Sequence, residues 1–324
     1  QYLLGLKIRE SKGIIPPRFV IERILEQMRD FVATPPQENI LYTSLAKKLE
    51  EAEEPGDAEA SDVLARVEAS INEDIYPAYD LFINYFSELE AKAGDDHGFW
   101  HLPNGEAAYK LALRFFTTTS YTADEIHEIG LAEVERIQQE MLEIFAEEGI
   151  DVSQGFTEAM DAYSSQPEFY YEDSDAGRQQ ILDDYKTILD EIDAGLGDAF
   201  NVRPKAGIEV VRIPEFREKT APGAYYEQPS LDGTRPGRFY ANLYDIEATP
   251  KFGMRTLAVH EGIPGHHFQI AIALELEGVP LLRRFGLFTA YVEGWALYAE
   301  RLAWELGLVP TNADNIGRLT AELF

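Results

Sequence analysis

The chain is organised around one stretch, Leu257-Ala258-Val259-His260-Glu261-Gly262-Ile263-Pro264-Gly265-His266-His267-Phe268-Gln269. Three of the six histidines of the protein lie between residues 260 and 267. Imidazole is the commonest metal ligand in proteins, and a carboxylate beside a metal-bound water can act as a general base. The stretch therefore predicts a metal site in which Glu261 is the candidate base.

The spacing of the histidines predicts a break in the helix that carries them. On a regular helix of about 3.6 residues per turn, His266 would point about 120° away from His260, and His267 would lie about 10.5 Å further along the axis. Two glycines and a proline occupy positions 262–265, and a proline inside a helix removes a hydrogen bond and kinks the helix. A bulged turn there would bring His266 back beside His260. We therefore favour His266 as the second ligand, with His267 as the alternative.

A third metal ligand is expected from the apolar segment 285–300. Glu293 and Glu300 lie near one stripe of this segment at helical spacing. A carboxylate in such a segment is either paired or bound to a metal, because an unpaired buried charge is too costly. Two histidines, a glutamate and an open fourth position are the layout of a catalytic zinc site. Glu293 is the favoured ligand and Glu300 its substitute; otherwise Glu300 pairs with Arg301 or orients a ligand histidine.

Two runs of residues carry a resemblance to a known family. They are His260-Glu261-Gly262-Ile263-Pro264-Gly265-His266-His267-Phe268-Gln269 and Tyr291-Val292-Glu293-Gly294-Trp295-Ala296-Leu297-Tyr298-Ala299-Glu300. Together with Gly105–Tyr109 and Gly237–Leu243, they closely resemble the Domain of Unknown Function 885 family over nearly the whole chain. That family consists of bacterial zincin-like proteins regarded as metal-dependent peptidases.

The resemblance implies a cofactor, a site and a location. It implies a Zn²⁺ ion held by His260, His266 and Glu293, with Glu261 as the general base. Many relatives look like exported or lipid-anchored proteins, which implies the periplasm or cell envelope; the cytoplasm is the alternative. Family chains usually continue past the position that matches Phe324, so we expect the chain to be a fragment of a longer protein.

The composition predicts a globular, strongly acidic protein. Of the 324 residues, 45% are hydrophobic and 12% aromatic, which is enough for a large core. The 58 acidic and 28 basic side chains give a net charge of -30, which would repel a phosphate backbone and argues against a nucleic-acid partner. The absence of cysteine excludes thiolate ligands and a cysteine nucleophile. No apolar run reaches the roughly 18 residues of a membrane span.

The first part of the chain, residues 1–200, reads as a helical lobe. A break is predicted at Pro77, and Thr122 with Glu125 forms a capping box at the start of a long helix. The apolar residues that predict the buried side of this helix are Ile126, Ile129, Val134, Ile137, Met141 and Ile144.

The second part, residues 201–324, changes in character. Three short strands are predicted at 207–216, 224–227 and 238–243, because β-branched and aromatic residues there are separated by glycine, proline and aspartate. The strands directly precede the helix that carries the histidines. We therefore predict one zincin-like domain, mainly α (α+β), with a helical body and a small sheet placed before the metal-binding helix.

The last predicted strand, Arg238–Leu243, is the candidate for holding substrate. An exposed edge strand can bind an extended peptide through backbone hydrogen bonds. Arg238, Tyr240 and Asn242 are therefore the candidate substrate-binding residues. The alternative is an ordinary core strand.

An oxyanion that develops during hydrolysis needs a hydrogen-bond donor near the metal. Tyr291 and Tyr298 are the candidates for this catalytic role, with Tyr240 as a further possibility.

A second cluster of metal-ligand side chains lies at residues 95–101. His97 and His101 could bind a metal together with Asp95 and Asp96. A polar turn whose side chains make hydrogen bonds is the alternative, and we prefer it.

Three classes of function fit these observations. The leading hypothesis is a zinc-dependent peptidase acting on a peptide or a small amide, with Glu261 activating the attacking water. The second is a non-catalytic cell-envelope binding protein whose metal is structural. The third is a metal-dependent hydrolase of non-peptide amides or esters. Glu261 and the open fourth position favour an enzyme, because a structural site needs neither.

Overall fold

The computed structural model describes residues 1–52, 56–285 and 288–324. Contacts within the chain divide it into two compact units, Gln1–Tyr109 and Lys110–Phe324. The single domain expected from the sequence stays a prediction. No helix in the described ranges is both long and apolar enough to cross a membrane.

The first unit is built from helices. They are α1 (Tyr2–Ser11), α2 (Arg18–Ala33), α3 (Ile40–Glu51), α4 (Asp57–Ser70) and α5 (Tyr76–Glu90). A π-helical turn, Ile71–Ile75, joins α4 to α5, and Pro77 lies in the first turn of α5. Residues 57–90 thus stay helical, and only the α-helical hydrogen-bond pattern changes before Pro77, because proline cannot donate the hydrogen bond of a regular helix. Ile21 and Leu25 of α2 pack against Phe86 of α5 to form the core of this unit.

The histidines of the first unit lie in a hydrogen-bonded turn. The ring of His101 contacts two backbone carbonyl oxygens, that of Gly98 at 2.6 Å and that of Ile15 at 3.3 Å. The ring of His97 packs edge-on against Phe19. Among the described residues, no group of three metal-ligand side chains forms around these histidines. The preferred interpretation as a polar turn is therefore supported.

The second unit contains the sheet and the remaining helices. Its elements are α7 (Ala123–Glu147), α8 (Phe156–Ser164), α9 (Asp175–Gly195), β1 (Ile208–Arg212), α10 (Glu215–Glu218), β2 (Ala224–Glu227), β3 (Gly237–Ala241), α11 (Lys251–Glu261), α12 (His266–Glu275), α13 (Leu281–Phe285), α14 (Thr289–Glu305) and α15 (Asn312–Leu323); α6 (Gly105–Thr117) precedes them and crosses the boundary between the units. The predicted mainly helical fold with a small sheet before the motif helix is confirmed. Gly286 and Leu287 of the predicted segment 285–300 lie outside the described residues.

Helix α7 confirms its predicted start and only part of its predicted buried side. The Thr122 hydroxyl accepts the N–H of Glu125, and the Glu125 carboxylate accepts the N–H of Thr122, which completes the capping box. Ile137, Met141 and Ile144 are buried against α8 and α15, whereas Ile129 and Val134 are exposed. Helical periodicity identified one apolar face, but neighbouring helices cover only its second half.

The sheet has the order β1-β3-β2, with β1 parallel and β2 antiparallel to β3. Strand β3 is thus central and pairs on both sides, from Gly237 to Ala241. The exposed edge predicted for Arg238–Leu243 is therefore wrong, and the alternative of a core strand is confirmed. The reason is tertiary: residues 208–212, far away in sequence, pair with the side of β3 that would otherwise be open.

The sheet and three helices hold α11 in place. Phe239 of β3 is fully buried and packs against the ring of Tyr185 on α9, with ring centroids 4.8 Å apart. Val259 of α11 and Ala299 of α14 belong to the same core. Helix α15 lies directly against α11, because a Cβ atom at Gly317 would overlap the backbone of α11. These contacts fix the position of α11, and with it the start of the residues that follow the helix.

A buried ion pair joins β1 to the segment after it. The carboxylate of Glu218 is only 3% exposed, and it accepts hydrogen bonds from Nε of Arg212 at 2.7 Å and from Nη2 at 2.9 Å. It also accepts the backbone N–H of Leu243 at 3.3 Å. Glu215 forms a single ion pair with the same arginine at 2.9 Å, but its side chain is 78% exposed.

We predict that Glu218→Gln lowers the free energy of unfolding by about 1–3 kcal/mol, because a charge-assisted bidentate bond to Arg212 is lost from a buried position. The matched control Glu215→Gln is expected to change it by less than about 1 kcal/mol, because exposed ion pairs contribute little. Urea unfolding measures both. Equal losses for the two variants would contradict the assignment.

Candidate metal centre

The helix break predicted between the histidines is confirmed. Helix α11 ends at Glu261 and α12 begins at His266, so the four residues 262–265 form a turn outside both helices. Gly262 has φ -107° and ψ -109°, and Gly265 has φ -77° and ψ -130°, neither of which is helical. The histidine ligand candidates are thus carried by two successive helices and not by one.

Close backbone contact explains the glycine at position 265. A Cβ atom there would overlap the carbonyl oxygens of His260 and Val259 in the last turn of α11. Because glycine has no Cβ, α12 can start against the end of α11. The rings of His260 and His266 consequently come together, with centroids 4.7 Å apart and planes at 82°.

Helix α14 brings Glu293 to the two histidines. The indole N–H of Trp295 donates to the carbonyl oxygen of Pro264 in the turn at 2.8 Å, and the side-chain amide of Gln269 donates to the carbonyl oxygen of Tyr291 at 3.2 Å. These two bonds tie α14 to the turn and to α12. Glu293, which lies between the two tied positions in sequence, is thereby directed at the histidines.

The distances from Glu293 to the two histidines fit a tetrahedral metal. Oε2 of Glu293 lies 3.4 Å from Nε2 of His260 and 3.5 Å from Nε2 of His266. Zinc bonds of about 2.0–2.1 Å at tetrahedral angles separate two ligand atoms by about 3.3–3.4 Å. These three side chains form the group of possible ligands that the described residues bring together within 4.8 Å. Glu293 is 52% exposed, so the group opens to solvent on that side.

Glu300 orients His260. Its carboxylate lies 2.7 Å from Nδ1 of the imidazole, while Nε2 faces Glu293. Burial lowers the pKa of His260, but the hydrogen bond to Glu300 and the surrounding carboxylates outweigh burial and raise it. Glu300 is 4% exposed and sits behind the ring. Of the roles considered for Glu300, the structure supports orientation of a histidine, an arrangement common around metal ligands.

His266 is held as a neutral imidazole. Burial, followed by the nearby His260, lowers its pKa to about 4. A neutral imidazole has a lone pair on one ring nitrogen, and this uncharged form is the one that binds a metal. The residue is therefore in the correct state to act as a ligand at neutral pH.

Glu261 is buried beside the sheet. It is 7% exposed, and its carboxylate lies near the backbone N–H of Tyr226 on β2. Burial raises its pKa to about 7, helped by the charges of Glu293 and Glu300, while His260 and the Tyr226 N–H oppose the shift. The side chain thus has an orientation of its own, separate from the three ligand candidates.

His267 faces away from this group. Its Nδ1 lies 3.0 Å from the hydroxyl of Tyr226, and its Nε2 lies 3.1 Å from the carbonyl oxygen of Ala206. Because the carbonyl can only accept, Nε2 carries the proton and the tyrosine donates to Nδ1. Both ring nitrogens are occupied, so the structure favours His266 over the alternative His267.

A protein family and a solved structure are similar to this chain. A family model described as "Bacterial protein of unknown function (DUF885)" matches residues 1–324. The chain belongs to the DUF885 family. A solved structure from Colwellia psychrerythraea, described as a "putative lipoprotein", is similar, with a TM-score of 0.93 and 33% identity over 98% of the present chain. The match covers 54% of that protein, so this DUF885 chain spans about half of its length. No curated protein matches the chain.

The other predicted site residues of this DUF885 chain lie elsewhere. On α14, Tyr291 and Tyr298 point about 160° and 140° around the helix from Glu293, and both are more than half exposed. Trp295, beside Tyr298, faces the turn. The helix does not bring either hydroxyl to the side of Glu293, and their role as oxyanion donors stays a prediction without support from these contacts.

The candidate substrate-binding side chains are engaged within the protein. The Arg238 guanidinium donates to Glu209, and the hydroxyl of Tyr240 donates to Glu227. The side-chain amide of Asn242 donates to three backbone carbonyl oxygens, those of Glu218, Ala221 and Pro222. Asn242 therefore holds the loop before β2. The substrate role of Arg238, Tyr240 and Asn242 also stays a prediction. The strand whose outer edge reaches the site is β2.

Two contributors to the site were missed by sequence reasoning. Tyr226 has its backbone N–H near Glu261 and donates its hydroxyl to His267, and Trp295 joins α14 to the turn. Tyr226 lies 35 residues before Glu261 in the sequence, and no feature of its own strand indicates that it belongs to the site. Trp295 belongs to a quoted motif, and its N–H donor in an apolar helix was the available signal.

We predict that Gly265→Ala lowers the free energy of unfolding by about 1–3 kcal/mol, because the new Cβ forces the start of α12 away from α11. Gly253→Ala, in α11 where a Cβ meets nothing within 4 Å, is the matched control. It is expected to leave stability unchanged or raise it by up to about 1 kcal/mol. Chemical unfolding provides the measurement, and a Gly265→Ala variant as stable as the control would contradict the packing argument.

Proposed function

We propose that this DUF885 protein is a zinc-dependent hydrolase whose substrates are peptides, with His260, His266 and Glu293 as ligands and Glu261 as general base. The observation that carries the proposal is the position of Oε2 of Glu293, at 3.4 Å and 3.5 Å from the two imidazole Nε2 atoms. Two imidazoles and one carboxylate, with no thiolate, match the ligand set of a catalytic zinc site.

The chemistry divides between the cofactor and the protein. When bound, zinc would polarise the carbonyl of the substrate and acidify a water molecule. Glu261 takes the proton from the attacking water on its carboxylate and passes it to the leaving nitrogen as the carbon–nitrogen bond breaks. The N–H of Tyr226 lies near the carboxylate of Glu261 and favours its charged form. Glu300 holds the proton on Nδ1 of His260, which leaves Nε2 free to bind.

The surroundings of the site suit an extended substrate. Glu293 is half exposed, so the ligand group is open to solvent on one side. Strand β2 has its outer edge toward Glu261, since the N–H of Tyr226 points there and away from β3. A peptide lying along that edge would pass the carboxylate of Glu261 and could be held by backbone hydrogen bonds.

A cell-envelope location accompanies the proposal. The solved relative from Colwellia psychrerythraea is described as a "putative lipoprotein", and it shares the fold over nearly all of the present chain. An envelope peptidase would meet peptides and small amides there as substrates. The strongly acidic surface, with a net charge of -30, suits a soluble domain without a nucleic-acid partner.

Metal binding is the first test. We predict one zinc per chain in protein purified without chelator, and a fall in zinc affinity of more than about 100-fold in His260→Ala, because losing a ligand costs more than the 10–100-fold typical of an outer partner. Metal analysis and chelator competition measure both. His127→Ala, on the exposed side of α7, is the control and should bind normally. Unchanged zinc binding in His260→Ala would refute the ligand set.

The base is the second test. Glu261→Gln keeps the shape and loses the basicity, so we predict normal zinc content and folding with turnover lowered by about 10²–10⁴-fold. Turnover is measured on the best substrate from a screen of peptides, amides and esters, with Glu277→Gln, an exposed position, as the control.

Each outcome separates the hypotheses. Full turnover with zinc retained in Glu261→Gln would refute the mechanism, and lost zinc would place Glu261 among the ligands. Turnover confined to esters or non-peptide amides would favour the third class of function. Bound zinc without turnover on any substrate would favour a structural metal in a binding protein.

A further inference from the structure

Two buried polar atoms in the first turn of α12 have no hydrogen-bond partner. They are Nδ1 of His266 and Oε1 of Gln269, in residues that are 7% and 8% exposed. Buried polar groups in proteins are nearly always paired, so an unpaired donor and an unpaired acceptor three residues apart require an explanation. Residues three apart on a helix are neighbours on one face.

The two atoms are complementary. When a metal is bound, Nε2 of His266, which faces Glu293, would hold it through its lone pair, and Nδ1 would then be the nitrogen that carries the proton. The amide of Gln269 has a defined orientation, because its Nε2 donates to the carbonyl oxygen of Tyr291 at 3.2 Å. Its Oε1 is therefore a free acceptor on the opposite side of the amide.

His260 shows which hydrogen bond His266 lacks. His260 has Glu300 at 2.7 Å from Nδ1, and a ligand histidine usually donates its second N–H to such an acceptor, which fixes the ring and raises its basicity. No equivalent acceptor reaches His266 among the described residues.

We propose that Gln269 is the positioning residue of His266: its Oε1 accepts the Nδ1–H of the imidazole when Nε2 binds the metal. The inference rests on the proposed zinc site. Gln269 then links two parts of the centre, His266 and α14, because its amide N–H already holds the backbone of α14 two residues before Glu293. The side chain of Gln269 thereby links the position of the ligand His266 to that of the ligand Glu293.

The test compares two substitutions that both remove the bond to Tyr291. Gln269→Leu has no acceptor, whereas Gln269→Glu keeps an oxygen at the position of Oε1. Zinc affinity, from chelator competition, is expected to fall by about 10–100-fold in Gln269→Leu and to stay within about threefold of wild type, or increase, in Gln269→Glu. Gln139→Leu, at an exposed position on α7, is the control and should not change zinc affinity.

A spectroscopic readout separates positioning from general damage. In zinc-loaded wild-type protein, the Nδ1 proton of His266 should exchange slowly with solvent in ¹⁵N NMR spectra, and this protection should be lost in Gln269→Leu and kept in Gln269→Glu. Equal loss of zinc affinity in both Gln269 variants would overturn the role of Oε1, as would unchanged affinity in Gln269→Leu. Wild-type protein without zinc affinity would overturn this inference together with the zinc site, whereas zinc bound normally by Gln269→Leu would overturn this inference alone.

Discussion

The contact of Gly265 with the last turn of α11 is the constraint on which the rest of the centre depends. The Cα of this glycine lies against the carbonyl oxygens of Val259 and His260, so that α12 begins where α11 ends. A chain with a side chain at this position would have to separate the two helices. The imidazole rings of His260 and His266 would separate with them, although each helix on its own could remain intact.

The same turn also governs the third ligand candidate. The carbonyl oxygen of Pro264 is the acceptor for Trp295, which places α14 and therefore Glu293. Three carboxylates consequently meet around the histidines in a protein that already carries a net charge of -30. Two of them are buried, Glu300 against Nδ1 of His260 and Glu261 near a backbone N–H. The third stays half exposed, and a cation bound there would reduce the repulsion among them.

Sequence reasoning succeeded where the cause of a feature is local. The π-helical turn before Pro77, the capping box at Thr122 and the break at 262–265 each follow from a residue's own backbone chemistry. Predictions from the sequence were wrong where the burial of a side chain or the pairing of a strand depends on distant residues. Periodicity alone could not show that Val134 is exposed, and the pattern of β3 could not show that a strand from residues 208–212 covers its second side.

The sequence by itself determined a mainly helical chain with a small sheet before the motif helix, a break between His260 and His266, and the short set of side chains able to bind a metal. These depend on periodicity, on glycine and proline, and on side-chain chemistry, which are properties of neighbouring residues. Only the tertiary structure decided that His266 and not His267 faces Glu293, and that Tyr226 binds His267. Those choices depend on which helices and strands pack together, because a hydrogen bond between distant segments exists only after the core has placed them side by side.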